Sequence, residues 1–106
     1  MKRIYKYPLE TTDAQIIKMP ANAEVLTVKL QGETPCIWAK IETSNEMDDY
    51  RVRIIGTGHA IYDDETLGKY VGTYLINEDC SDGCGIGVFH VWIKETKGKD
   101  YSNFIL

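Results

Sequence analysis

The sequence predicts an all-β domain, a small antiparallel β-sandwich or partly closed barrel of about seven strands with at most one short helix. Segments rich in β-branched and aromatic residues recur along the chain, and clusters of Gly, Asn and Asp separate them. No segment sustains the apolar period of about 3.6 residues that a helix needs. With 106 residues, we expect a single domain over residues 1–106 that buries a core without disulfides or metals.

The first two predicted strands each run up to a proline. Residues 2–7 form the first strand and residues 13–19 the second. Pro8 and Pro20 stop them, because proline lacks the amide that a strand ladder needs.

The next two predicted strands form a hairpin. In residues 24–30, Leu26, Val28 and Leu30 alternate with polar residues, which predicts a strand with one buried face. A short turn separates this segment from the alternating residues 36–41. The two strands are therefore expected to run antiparallel as neighbours.

A fifth strand follows the polar loop 43–49. In residues 50–55, aliphatic side chains alternate with Arg51 and Arg53, so the two arginines share the polar face. The glycines at 56 and 58 predict a bulge or bend, with the strand continuing over residues 59–62. Residues 63–68 then form an acidic turn.

The last two strands, residues 70–76 and 86–93, are predicted to form a hairpin over the loop 77–85. The strands are expected to follow one another as a meander. The charged residues 94–106 have no apolar pattern, and we expect them to be a peripheral tail.

Charge and composition exclude several classes of function. The 12 Lys and Arg against 16 Asp and Glu give a net charge of −4, which disfavours general binding to nucleic acid. No apolar run reaches the length of about 20 residues that spans a bilayer, and no export signal is present. These features predict a protein of the cytoplasm with no membrane partner.

The three cysteines, Cys36, Cys80 and Cys84, predict neither a disulfide framework nor a metal site. Three residues separate Cys80 from Cys84, whereas zinc and thioredoxin-like sites usually leave two. We expect no metal and no cofactor.

Four segments carry a resemblance to a known family. They are Pro35-Cys36-Ile37-Trp38-Ala39, Gly56-Thr57-Gly58-His59, Tyr70-Val71-Gly72-Thr73 and Val88-Phe89-His90-Val91. In order and spacing the chain resembles a family of small uncharacterised proteins, encoded mainly by bacteriophages and prophage-bearing bacteria. The resemblance implies a phage-accessory context, in the cytoplasm of a host bacterium, and supplies no mechanism. The cysteine-bearing loop 77–85 and the charged tail depart from the family pattern.

The candidate ligand site collects aromatic, imidazole and basic side chains. In the binding hypothesis, Trp38, Trp92, His59 and His90 line a concave pocket for a planar ligand such as a nucleotide. Phosphates would be bound by the guanidinium groups of Arg51 and Arg53 and by the backbone amides of the glycine turn around Thr57. The alternative is structural: the tryptophans stack with Tyr70 and Tyr74 in a second layer, and the histidines bond backbone carbonyls.

A separate candidate surface consists of acidic residues in predicted loops, namely Asp48, Asp49, Asp63, Asp64 and Glu65. Solvated turns account for them. They would alternatively meet a basic patch on a host protein, giving specificity and on-rate.

Three functions remain open at this stage. The first is a non-enzymatic binding protein that antagonises a host antiphage defence, either by binding a defence protein or by sequestering a small nucleotide signal. A homo-oligomer suits the second mode, because small β domains often complete a ligand site across an interface. The alternatives are a small histidine-dependent hydrolase or nuclease, and a virion structural accessory protein.

Overall fold

The computed structural model describes residues 1–62, 64–78 and 85–96, and it confirms an all-β fold of seven strands. One 3-10 turn, Asp64–Thr66, is the helical segment in this part of the chain. The strands are β1 (Lys2–Pro8), β2 (Ala14–Pro20), β3 (Glu24–Gln31), β4 (Thr34–Glu42), β5 (Met47–Gly56), β6 (Lys69–Glu78) and β7 (Gly85–Glu95).

The strands form two antiparallel sheets rather than a meander. One sheet has the order β1-β4-β3 and the other the order β2-β5-β7-β6. The predicted hairpins β3-β4 and β6-β7 are present. Because β1 and β2 lie in different sheets, the chain crosses between layers, and the result is an open sandwich rather than a barrel.

The prediction that the first two strands stop before their prolines is wrong. Pro8 and Pro20 are the last residues of β1 and β2, since both are edge strands, where a missing amide leaves no ladder bond unmade. The predicted start of the fifth strand is also corrected. β5 begins at Met47 rather than at residue 50, because residues of the predicted loop pair with β2.

The predicted continuation of the strand over residues 59–62 is also wrong. β5 ends at Gly56, and the His59 amide donates to the Gly56 carbonyl at 3.1 Å. Gly58 adopts a φ of 89°, which turns the chain out of the sheet.

The core lies between the two sheets. β4 buries Ile37 and Ala39 completely, and β5 and β7 bury Val52 and Val91 to the same degree. A bulge between Val25 and Thr27 shifts the register of β3.

This bulge corrects the predicted face of one residue. Because it adds a residue to the pleat, Val28 faces the core while Leu26 is 44% exposed. Leu26 and Val28 therefore lie on different faces, contrary to the alternation read from the sequence.

The segment between β5 and β6 returns to the sheet at Leu67, which is 2% exposed. Gly68 has a φ of 94°, and a Cβ there would lie 2.4 Å from the Ile93 carbonyl oxygen. Only glycine allows this close approach to β7.

The predicted tail begins two residues too early. Lys94 and Glu95 belong to β7, and the Thr96 amide donates to the Asp49 carbonyl at 2.9 Å. Residues 97–106 lie outside the described residues, as do Cys80 and Cys84 of the predicted loop.

None of the helical structure in the described ranges is long and apolar enough to cross a bilayer.

Candidate functional site

Side chains of one polar and aromatic surface lie on the outer face of the four-stranded sheet. Strand register places them in rows, because residues directly opposite on paired strands share a face. We call this surface the Trp92 face; its residues are Arg51, Arg53, Thr57, Tyr70, Thr73, His90, Trp92 and Lys94.

A hydrogen-bonded chain of four side chains crosses the Trp92 face. His90 Nε2 bonds Thr57 Oγ1 at 2.7 Å, and His90 Nδ1 bonds Thr73 Oγ1 at 2.9 Å. Thr73 Oγ1 also bonds the Tyr70 hydroxyl. Both ring nitrogens of His90 are therefore oriented by hydroxyl groups, which fixes the plane of the imidazole.

Three separate segments supply this chain. The glycine turn after β5 brings Thr57, β6 brings Tyr70 and Thr73, and β7 brings His90. They are three of the four segments on which the family resemblance depends. Residues far apart in sequence thus converge on one imidazole.

Aromatic contacts lie beside the hydrogen-bonded chain. The rings of Tyr70 and Trp92 meet edge to face, with centroids 5.2 Å apart, and Trp92 lies 6.5 Å from the ring of His90. Tyr70 is 50% exposed and Trp92 is half-buried. An aromatic surface of this kind offers a π-face to a planar ligand.

Basic side chains complete the Trp92 face. Arg53 is directly opposite Trp92, and Arg51 is directly opposite Lys94. Arg53 Nε donates to the Asp13 carbonyl at 3.0 Å, which fixes its direction. Burial, and then the charge of Arg53, lower the pKa of Arg51. An anion placed beside the two arginines would relieve this repulsion.

The structure brings five of the seven predicted ligand residues together: Arg51, Arg53, Thr57, His90 and Trp92.

Trp38 and His59 lie elsewhere. Trp38 is opposite Lys6 and Thr27, on the outer face of the three-stranded sheet and therefore on the other side of the sandwich. The His59 ring lies where a Cβ of Gly56 would point, 3.1 Å away, and Gly56 is paired with the inward-facing Phe89. The predicted pocket of Trp38, Trp92, His59 and His90 is therefore not formed by these four residues.

The structure also changes the alternative interpretation, in which the tryptophans and histidines have only structural roles. His90 bonds threonine hydroxyls rather than backbone carbonyls. Both tryptophans do lie on faces opposite the aliphatic residues, but Tyr74, expected beside them, is 3% exposed in the core and stacks on Phe89.

The acidic residues do not form one loop surface. Asp48 and Asp49 belong to β5, and Asp49 is 6% exposed and pairs with Lys18 at 2.6 Å. Asp64 and Glu65 are exposed in the 3-10 turn, and Asp63 lies outside the described residues.

Sequence reasoning missed Thr73 and Lys94 and assigned Tyr70 only to packing. Counting alternate positions along β7 would have placed Lys94 on the face of His90 and Trp92. Thr73 could not be placed in this way, because the bulge between Tyr70 and Gly72 changes the alternation of β6.

The side chains of the Trp92 face are suited to binding a phosphate group and a planar ring. Among residues 1–62, 64–78 and 85–96, no three His, Cys, Asp or Glu side chains are grouped closely enough to hold a metal ion. Guanidinium groups bind phosphate through several N–H donors, and indole and phenol rings stack on bases.

Fold and site together define a small β-sandwich domain with a basic and aromatic patch on one outer sheet face. The chain belongs to the family described as a domain of unknown function (DUF7352), whose model matches residues 1–101. Comparison with curated proteins and with solved structures finds no match to either.

Proposed function

We propose that this protein is a non-enzymatic binding protein that sequesters a small nucleotide on the Trp92 face. The observation that carries the proposal is the alignment of three recognition chemistries on one sheet surface. A basic pair, an aromatic pair and a hydroxyl–imidazole pair occupy successive rows, centred on Trp92.

The spacing of the rows fits one nucleotide. Alternate residues on a strand are about 6.7 Å apart, so the basic row and the His90 row lie about 13 Å from each other across Trp92. A base stacked on Trp92 places its phosphate over Arg51 and Lys94 and its polar edge over His90 and Thr73. Base stacking on an aromatic side chain contributes about 1–3 kcal/mol.

The biological context extends the proposal. The resemblance to phage-encoded proteins supports a role as an antagonist of host antiphage defence in the bacterial cytoplasm. Sequestering a nucleotide signal requires no chemistry and no protein partner. In cells whose defence uses such a signal, expression of the wild type should restore phage plating and Trp92→Leu should not.

Isothermal titration calorimetry with AMP and GMP tests the binding step. Trp92→Leu should weaken binding about tenfold or more, because it removes the stacking surface. Trp38→Leu is the matched control, since Trp38 occupies the outer face of the opposite sheet. Equal losses in the two variants, or no binding by the folded wild type, would contradict the proposal.

Native mass spectrometry adds an independent test on protein purified from expressing cells. A retained nucleotide-sized mass that disappears after denaturation is the expected result. The same spectra report whether the ligand accompanies a monomer or a homo-oligomer.

One observation favours the hydrolase as a second candidate. Thr57 Oγ1 lies 2.7 Å from His90 Nε2, within the reach of a nucleophile and its base. If the site cleaves its ligand, chromatography of nucleotide incubated with the protein will show product, and His90→Ala will abolish it. Unchanged nucleotide after prolonged incubation would leave binding as the function.

A further inference from the structure

The basic part of the Trp92 face is narrow and bounded. Arg51 and Lys94 are paired across β5 and β7, and the neighbour of Arg51 on β2 is the apolar Ile16. One step further along the strands, away from Trp92, Lys18 is opposite Asp49.

Asp49 places a carboxylate at this end of the basic row. Its side chain is 9% exposed, and Lys18 Nζ approaches its Oδ1 at 2.6 Å. The Lys18 side chain is 71% exposed, so the cation is the accessible member of the pair. A phosphate that captured Lys18 would leave a buried carboxylate without its cation.

Resting on the proposed function, we infer that the ligand carries a single phosphate per base, as a phosphomonoester or phosphodiester, and not a run of consecutive phosphates. One phosphate over Arg51 and Lys94 is matched by two cations. A second phosphate placed further along the strands meets the carboxylate of Asp49 and competes for Lys18.

Toward Trp92 the next cation is Arg53, which lies in the row of the stacked base and donates its Nε to the Asp13 carbonyl. On the far side of Trp92, the row holds Ile55, His90 and Thr73, in which His90 is already bonded to two hydroxyls. Beside Arg51, Ile16 presents an aliphatic surface. The face therefore discriminates by the number of linked phosphates.

Calorimetric titration with AMP and ATP, without divalent cations, tests this inference. AMP should bind about fivefold more tightly than ATP, the equivalent of one unfavourable charge contact near the surface. In Asp49→Asn the carboxylate is removed with little change in shape, and the ratio of the two affinities should fall toward one.

The outcomes separate the two proposals. ATP binding as tightly as AMP to the wild type, or more tightly, would overturn the inference and leave nucleotide binding intact. Failure of AMP, GMP and ATP alike to bind would contradict the proposed function. Thermal unfolding checks that Asp49→Asn is folded, and the wild-type comparison decides the inference without that variant.

Discussion

Removing the Tyr50 hydroxyl should destabilise the protein in a way that depends on pH. Tyr50 is 3% exposed, and its hydroxyl donates to the Pro20 carbonyl at 2.7 Å and accepts from the Ala23 amide at 3.1 Å. It thereby connects β5 to the turn between β2 and β3. Tyr50→Phe leaves both backbone groups without this partner.

The expected loss at pH 7 is about 1–3 kcal/mol in the free energy of unfolding, the usual effect of leaving a buried polar group unbonded. Burial raises the pKa of Tyr50 from 10.0 to about 12. Because the fold favours the neutral phenol, this stabilisation is complete below pH 10 and is lost as the pH rises toward 12. By pH 11.5 the wild type should lose roughly 2 kcal/mol that Tyr50→Phe, which cannot ionise there, retains.

Urea unfolding followed by tryptophan fluorescence, from pH 7 to pH 11.5, measures this difference. The gap in unfolding free energy between wild type and Tyr50→Phe should narrow by roughly 2 kcal/mol over that range. Other titrating groups cancel in the comparison. Tyr62→Phe is the control, because Tyr62 is 95% exposed. A gap that stays constant across the range would refute the reasoning.

Two further predictions concern the backbone and the site. Gly68→Ala should lower the free energy of unfolding by about 2 kcal/mol or more, because the positive φ and the nearby Ile93 carbonyl both exclude a Cβ. Gly32 has a positive φ but open space around it, so Gly32→Ala is the control and should lower the free energy of unfolding by only about 1 kcal/mol. Urea unfolding measures both. Thr73→Val should weaken AMP binding in calorimetry, because it removes the hydroxyl that orients the His90 ring. The urea midpoint should stay almost unchanged, since the core is not altered. An unchanged affinity for AMP would show that the hydrogen-bonded chain does not contribute to binding.

The alternation of individual strands was predictable because it depends on local burial. Arg51 and Arg53 on β5, and His90 and Trp92 on β7, fall on the polar face as the period of two requires. Once β5 and β7 are known to pair, these four side chains must lie on the same face of the sheet.

The division of strands between the sheets was not predictable in the same way. β1 and β2 have similar lengths and both end in proline, so nothing local indicates that one pairs with β4 and the other with β5. That choice separates Trp38 from Trp92, because it places β4 in the opposite layer.

Bulges and turns account for the side chains whose face was predicted wrongly. The bulge in β3 moves Leu26 out of the core, and the bulge in β6 brings Thr73 opposite His90. The turn at Gly58 diverts His59 from the Trp92 face. One inserted residue, or one residue with a positive φ, changes the sheet face on which the following side chains lie. The amino-acid pattern alone does not locate such a residue.

Titration of the protein with AMP, followed by the indole N–H signals in a ¹H–¹⁵N NMR spectrum, tests nucleotide binding on the Trp92 face most directly. The chain has 2 tryptophans, one on each outer face, so the spectrum contains a reporter for each sheet. Trp38→Phe assigns the two signals. The Trp92 signal should shift and saturate while the Trp38 signal stays in place. Movement of the Trp38 signal alone, or of neither signal at saturating AMP, would contradict the account.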